Sequence, residues 1–198
     1  TFDAYDFQRI VIYLGFHFWK PFLFYITMIN LNQNEYSEYY GYYISLNATD
    51  NLILNLENQL ETTSNFFKSI PADKLEYQYE VGKWTPKDIL QHIIDSERIF
   101  AYRALRFARF DTINLPGYEE NDYADVANAN SRTIEDLIEE YKTVRLASIH
   151  LFKSFSDKIL LSIGQANNAP ASVRAIGYII TGHEIHHINI IKARYSLF

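Results

Sequence analysis

The sequence contains no cysteine. That excludes disulfide scaffolds, thiolate-ligated zinc, iron–sulfur clusters and thiol nucleophiles. An excess of positive charge is also missing: 18 Lys and Arg face 24 Asp and Glu, a net charge of -6, which argues against a general nucleic-acid surface. No alternating strand pattern, βαβ unit, internal repeat or low-complexity run is present. What is there is 48% hydrophobic and 21% charged in 198 residues, too apolar for a disordered chain and enough for one domain with a sizeable core.

Aromatic residues are unevenly spread. Of 16 Tyr, 14 Phe and 2 Trp, 15 fall between Phe2 and Tyr43. The chain opens on Thr1 and its one methionine is Met28, so Met28 is expected as the biological start, with residues 1–27 as upstream sequence. The rival reading is a membrane segment over residues 10–29. Lys20 and Pro21 fall mid-segment, where a charge costs about 2.5–3.5 kcal/mol on insertion scales. An extra apolar helix packed on the domain is the third reading. A signal peptide fits poorly, because Asp3 and Asp6 precede Arg9. The expected location is cytoplasmic, with no membrane partner unless residues 10–29 are a genuine segment.

Four long helices are expected beyond residue 44. The first covers 50–69, capped by Thr49 or Asp50, with Leu52, Leu56, Leu60 and Phe67 at helical spacing. A connector with extended character near Tyr77 and Tyr79 follows. The second begins at Thr85, with Pro86 at its first position and Asp88 completing a capping box, and runs to about Arg109. Residues 111–130 read as a long acidic loop covering a site or lying in solvent, with Tyr118, Asp122 and Tyr123 as pocket candidates more readily read as surface. The third helix runs from Ser131 or Thr133 to about Phe155, a loop covers 156–171, and the fourth runs from about Ser172 to Tyr195. The fold class is all-α, a four-helix bundle.

Three histidines occupy positions where apolar residues belong. The seam of the fourth helix reads Val173, Ile176, Ile180, His183, His187, Ile190 and Arg194. Residues four apart share a helix face, so His183 and His187 can grip one ion. On the second helix, His92 shares a stripe with Thr85, Ile89, Ser96, Ile99 and Arg103. A lone histidine on an apolar face is usually a hydrogen-bonded core residue; an i,i+4 pair with a third across the core points to a metal. Three imidazoles leave a tetrahedral position open, as a catalytic site requires. His186 is an alternative ligand or a supporting group, whereas His17 and His150 have no such context.

His183-Glu184-Ile185-His186-His187 also matches the H-E-x-x-H zinc-protease signature. No His, Asp or Glu follows His187, and Ala193 stands where the extended pattern has a third histidine. A protease is therefore disfavoured, and Glu184 remains a candidate base.

The residues resemble the DinB-like superfamily of bacterial four-helix proteins, together with the related bacillithiol and mycothiol transferases. The carriers are Gly82-Lys83-Trp84-Thr85-Pro86-Lys87, His92-Ile93-Ile94-Asp95-Ser96-Glu97-Arg98, Tyr102-Arg103-Ala104-Leu105-Arg106, Leu115-Pro116-Gly117-Tyr118, Ser172-Val173-Arg174-Ala175 and Gly182-His183-Glu184-Ile185-His186-His187. The match runs from about Tyr39 to Tyr195, leaving residues 1–35 as an extension and 36–198 as the bundle domain. The resemblance implies an up-down-down-up bundle, nickel or zinc on His92, His183 and His187, and a homodimer. It implies a metal-dependent hydrolase, or a transferase of a low-molecular-weight thiol, acting on a small molecule. Asp95 and Glu184 are candidates to orient ligands or relay a proton, and Arg103 to bind an anionic substrate. The alternative is a non-catalytic, metal-binding or stress-related interaction bundle.

Overall fold

The computed structural model describes residues 29–195. The apolar run over 10–29, His17 and the expected start at Met28 lie outside the described residues, apart from Ile29. Four long helices form the body: α2 (Leu52–Ser69), α3 (Pro86–Ala108), α5 (Ile134–Lys153) and α7 (Val173–Arg194). Three short helices accompany them, α1 (Glu38–Ser45), α4 (Glu120–Ala127) and α6 (Asp157–Leu160). A hairpin of β1 (Ile163–Ala166) and β2 (Ala169–Ser172) precedes α7.

Local chemistry sets the helix starts. Thr85 accepts from the Asp88 N–H while Asp88 accepts from the Thr85 N–H, and Pro86 occupies the first turn. Such a cap stabilises a helix by about 1 kcal/mol. Thr133 and Ser172 cap α5 and α7 by accepting from the Asp136 and Ala175 N–H groups. The cap of α2 is Asn51, whose side chain accepts from Leu54 N–H, rather than Thr49 or Asp50.

Side-chain pairs fix the topology. Gln59 and Thr63 of α2 meet Thr181 and Glu184 of α7 in rising order, so these helices run parallel. Gln91 and Glu97 of α3 meet Arg132 and Arg145 in the same sense, making α3 and α5 parallel as well. Lys153 meets Glu57 while Tyr141 meets Gln59, and Trp84 meets Tyr195 while Phe100 meets His183. Those pairs run in opposite order, so α2 opposes α5 and α3 opposes α7. The bundle is up-down-down-up.

Two apolar clusters fill its ends. One gathers Leu56, Phe107, Phe152 and Ile176; the other gathers Phe67, Leu90, Leu137 and Ile191. Between them lies a polar layer. Arg145, fully buried, donates from Nε to Glu97 at 2.9 Å and from Nη2 to both Glu97 and Glu184. Glu184 also accepts from Thr63 and from Tyr141 at 3.1 Å, while Arg145 Nη1 reaches the Leu56 carbonyl. One network therefore ties all four long helices.

Three sequence expectations need correction. The 156–171 loop holds the β1–β2 hairpin, although no strand pair was expected. Its turn is Asn167-Asn168, both in the left-handed region at φ 51° and 60°, which suits a two-residue hairpin turn. Short strands of Gly, Ala and Pro hid it. The 111–130 loop contains α4, and the 72–83 connector begins with a 3₁₀ turn at Ala72–Lys74 and carries no strand.

The described chain ahead of α1 is packed rather than separate. Ile29 and Leu31 rest on the core, and Glu35 is buried. Its carboxylate accepts from Ser172 Oγ at 2.9 Å and Arg174 Nε at 2.7 Å. Gly182 lies so close to the Tyr43 carbonyl that an added Cβ would sit 1.8 Å from its oxygen, which lets α1 lie directly on α7. No helix among the described residues is long and apolar enough to cross a membrane.

Arg145→Leu strands two buried carboxylates and should cost about 3–5 kcal/mol in urea unfolding; a loss below 1 kcal/mol would remove the network from its central role. Glu35 gives a pH signature. Burial alone would raise its pKa, but Arg174, the Asn32 N–H and Ser172 together bring it from 4.5 to about 2. A depressed carboxylate stabilises the fold above pH 4.5, and that contribution disappears as pH falls towards 2. Glu35→Gln should therefore lower the melting temperature at pH 7 and flatten its decline between pH 4.5 and 2.

Candidate metal centre

His183 and His187 project from one face of α7, one turn apart, and His92 meets them from α3. The His92 and His183 Nε2 atoms are 3.1 Å apart, and those of His183 and His187 are 2.9 Å apart. One ring nitrogen from each histidine lies within 4.8 Å of the others. Two nitrogens on a tetrahedral ion at about 2.05 Å would be about 3.3 Å apart, so the donor set fits one divalent ion. These three form the one such group of His, Asp or Glu among the described residues.

The walls are aromatic. Trp84 packs on His92 with ring centres 4.7 Å apart, Tyr43 on His183 at 5.5 Å, and Phe100 closes the far side. Burial holds the imidazoles neutral: desolvation, aided by His186, brings His92 from 6.5 to about 4, and burial with mutual repulsion takes His183 and His187 well below the usual range. Neutral imidazole is the form that binds a metal. On the outer side of His92, Nδ1 lies 3.5 Å from Ser96 Oγ, which bonds the Tyr118 hydroxyl at 2.8 Å.

The sequence profile of the DinB superfamily matches residues 55–191. The chain belongs to the DinB superfamily. Among solved structures it is similar to YfiT from Bacillus subtilis, described as "a probable metal-dependent hydrolase with an unusual four-helix bundle topology". That likeness has a TM-score of 0.64 at 16% identity, covering 73% of this chain and 83% of YfiT. It is also similar to a DinB-like protein, YjoA, from Bacillus subtilis, with a TM-score of 0.52 at 17% identity over 72% of this chain and 87% of that one. At these identities the likeness concerns the fold. No curated protein matches the chain significantly.

Within this DinB fold the expected site residues are dispersed differently. His92, His183 and His187 come together. His186 turns towards the rings of Tyr42 and Tyr43. Asp95 accepts from Gln91 at 3.0 Å, outside the histidine group. Glu184, the candidate base, is turned about 100° from His183 around the helix and spends its carboxylate on Thr63, Tyr141 and Arg145. Asp122 lies exposed on α4 and Tyr123 stacks on Tyr118 at 5.0 Å. Tyr118, more readily read as surface, instead reaches Ser96. Trp84 and Tyr43 were missed as wall residues, because nothing in local spacing says which aromatic meets which histidine.

Tyr118→Phe removes the partner of a buried hydroxyl, at a cost of about 1 kcal/mol. Amide exchange should then quicken in residues 115–119 while α2 and α5 stay protected. Unchanged exchange in that segment would show that the phenol does not hold it.

Proposed function

We propose that this DinB protein is a metal-dependent enzyme acting on a small molecule, by hydrolysis or by transfer of a low-molecular-weight thiol, with one nickel or zinc ion on His92, His183 and His187. The observation that carries the reading is the convergence of three neutral imidazole nitrogens from two helices. His92, His183 and His187 would hold the divalent ion, which would supply a lowered pKa to a bound water or thiol. Because the chain has no cysteine, any thiol comes from a cosubstrate. The description of YfiT as a metal-dependent hydrolase points the same way.

The protein's own groups have distinct tasks in this reading. Trp84, Tyr43 and Phe100 limit water around the histidines. Ser96 Oγ stands 3.5 Å from His92 Nδ1, on the far side of the ring from Nε2, which is left as the ligand atom. Glu184 anchors α7 through Arg145 and does not serve as the base. His186 supports the α1 tyrosines rather than the ion. Asp95 lies at the rim, where burial raises its pKa.

Metal analysis of the purified chain beside His92→Ala and His187→Ala tests this. Near-stoichiometric nickel or zinc in the wild type, falling by at least tenfold in both variants, is expected. Equal metal content in all three proteins would end the three-histidine reading.

A further inference from the structure

Among the described residues two arginines are buried in the core, and their surroundings differ. Arg145 faces two carboxylates. Arg103, on α3, is only 5% exposed, yet no carboxylate oxygen among the described residues lies within 4 Å of it. Its one hydrogen bond to the backbone runs from Nη2 to the Pro116 carbonyl at 2.9 Å. Its guanidinium sits 5.6 Å from the Phe100 ring centre and acts on the Tyr40 phenol. A guanidinium has five donors, and a buried charge without a counter-charge is expensive. A carbonyl, a phenol and a ring do not neutralise it.

Arg103 also borders a cavity of about 10 Å³, with Tyr40, Phe100, Phe107 and Ile179 among its other walls. That is room for about one water-sized group. Apart from Arg103 and the Tyr40 hydroxyl, the lining is apolar. Phe100 belongs both to this cavity and to the wall against His183, and Ile179 lies one turn before His183 on α7. Arg103 stands about three turns, ~16 Å, along α3 from His92. The loop that bonds Arg103 through Pro116 bonds Ser96 through Tyr118, so both places share one covering segment.

We propose that Arg103 is an anion subsite that takes a carboxylate of the substrate, with Tyr40 beside it, while the reacting end of the same molecule lies at the three histidines. The cavity admits one oxygen-sized group, so a single carboxylate oxygen enters it against the guanidinium, whose charge a carboxylate matches. The substrate class is then an elongated molecule whose carboxylate lies at the far end from its reacting atom. This rests on the reading of the histidines as the reacting centre, and its test is separable from theirs.

Acetate and its neutral isostere acetamide are titrated into the full chain after metal removal with EDTA, at constant ionic strength. The readouts are the Nε–H resonance of Arg103 and the melting temperature. Acetate should shift both, acetamide neither, and Arg103→Gln should weaken acetate binding at least tenfold. Arg103→Lys keeps the charge and supplies the resonance assignment should Arg103→Gln fail to fold; the wild-type contrast of acetate with acetamide then decides. Equal responses to the two probes, no response to acetate, or binding by Arg103→Gln within twofold of wild type would each overturn the subsite. Metal uptake is measured on the same preparations. A wild-type chain that takes up no metal defeats the histidine reading whatever acetate does, whereas a metal-binding chain silent to acetate defeats the subsite alone.

Discussion

The bundle depends on one buried cation. Arg145 carries its charge into a fully buried layer, and its partners come from the other three long helices: Glu97 on α3, Glu184 on α7, and the Leu56 carbonyl on α2. Such a cluster contributes little net stability relative to apolar packing, because desolvation offsets most of the attraction. Its geometry is nevertheless exacting, since each donor and acceptor is satisfied in only one arrangement of the four helices. The cluster holds one more carboxylate than guanidinium. Burial raises the pKa of Glu184, while Arg145 and Thr63 pull it down.

That layer also places the histidines. Glu184 and His183 are neighbours on α7, so anchoring the first fixes the direction of the second. Glu97 and Ser96 stand in the same relation on α3, one anchored to Arg145 and the other beside His92. The network therefore sets the register of α3 against α7, on which the 2.9 Å and 3.1 Å nitrogen separations depend. The H-E-x-x-H pattern acquires a different meaning here. Its two outer histidines face the candidate metal position, while its glutamate faces the structural core.

The covering elements come from distant parts of the chain. α1 lies on α7 through the close approach of Gly182 to Tyr43, and Glu35 fastens the preceding turn to the start of α7. The loop before α4 pairs with the hairpin, with Leu115 N–H donating to the Gln165 carbonyl and Asn167 N–H to the Leu115 carbonyl. It then delivers Pro116 to Arg103 and Tyr118 to Ser96.

The sequence by itself determined the four long helices and the cap at Thr85, because apolar spacing and capping are local properties. It also singled out His92, His183 and His187, since polar residues on an apolar seam are anomalous without any knowledge of neighbours. The DinB resemblance in the motifs around those histidines pointed to the topology. Tertiary structure decided the rest. That Glu184 serves Arg145, that Tyr118 turns inward, and that Arg103 is buried with no carboxylate beside it among the described residues all depend on contacts across tens of residues. The Asn167-Asn168 hairpin needed the loop at Leu115 and the bundle behind it, because its Gly-, Ala- and Pro-bearing strands have little strand preference of their own.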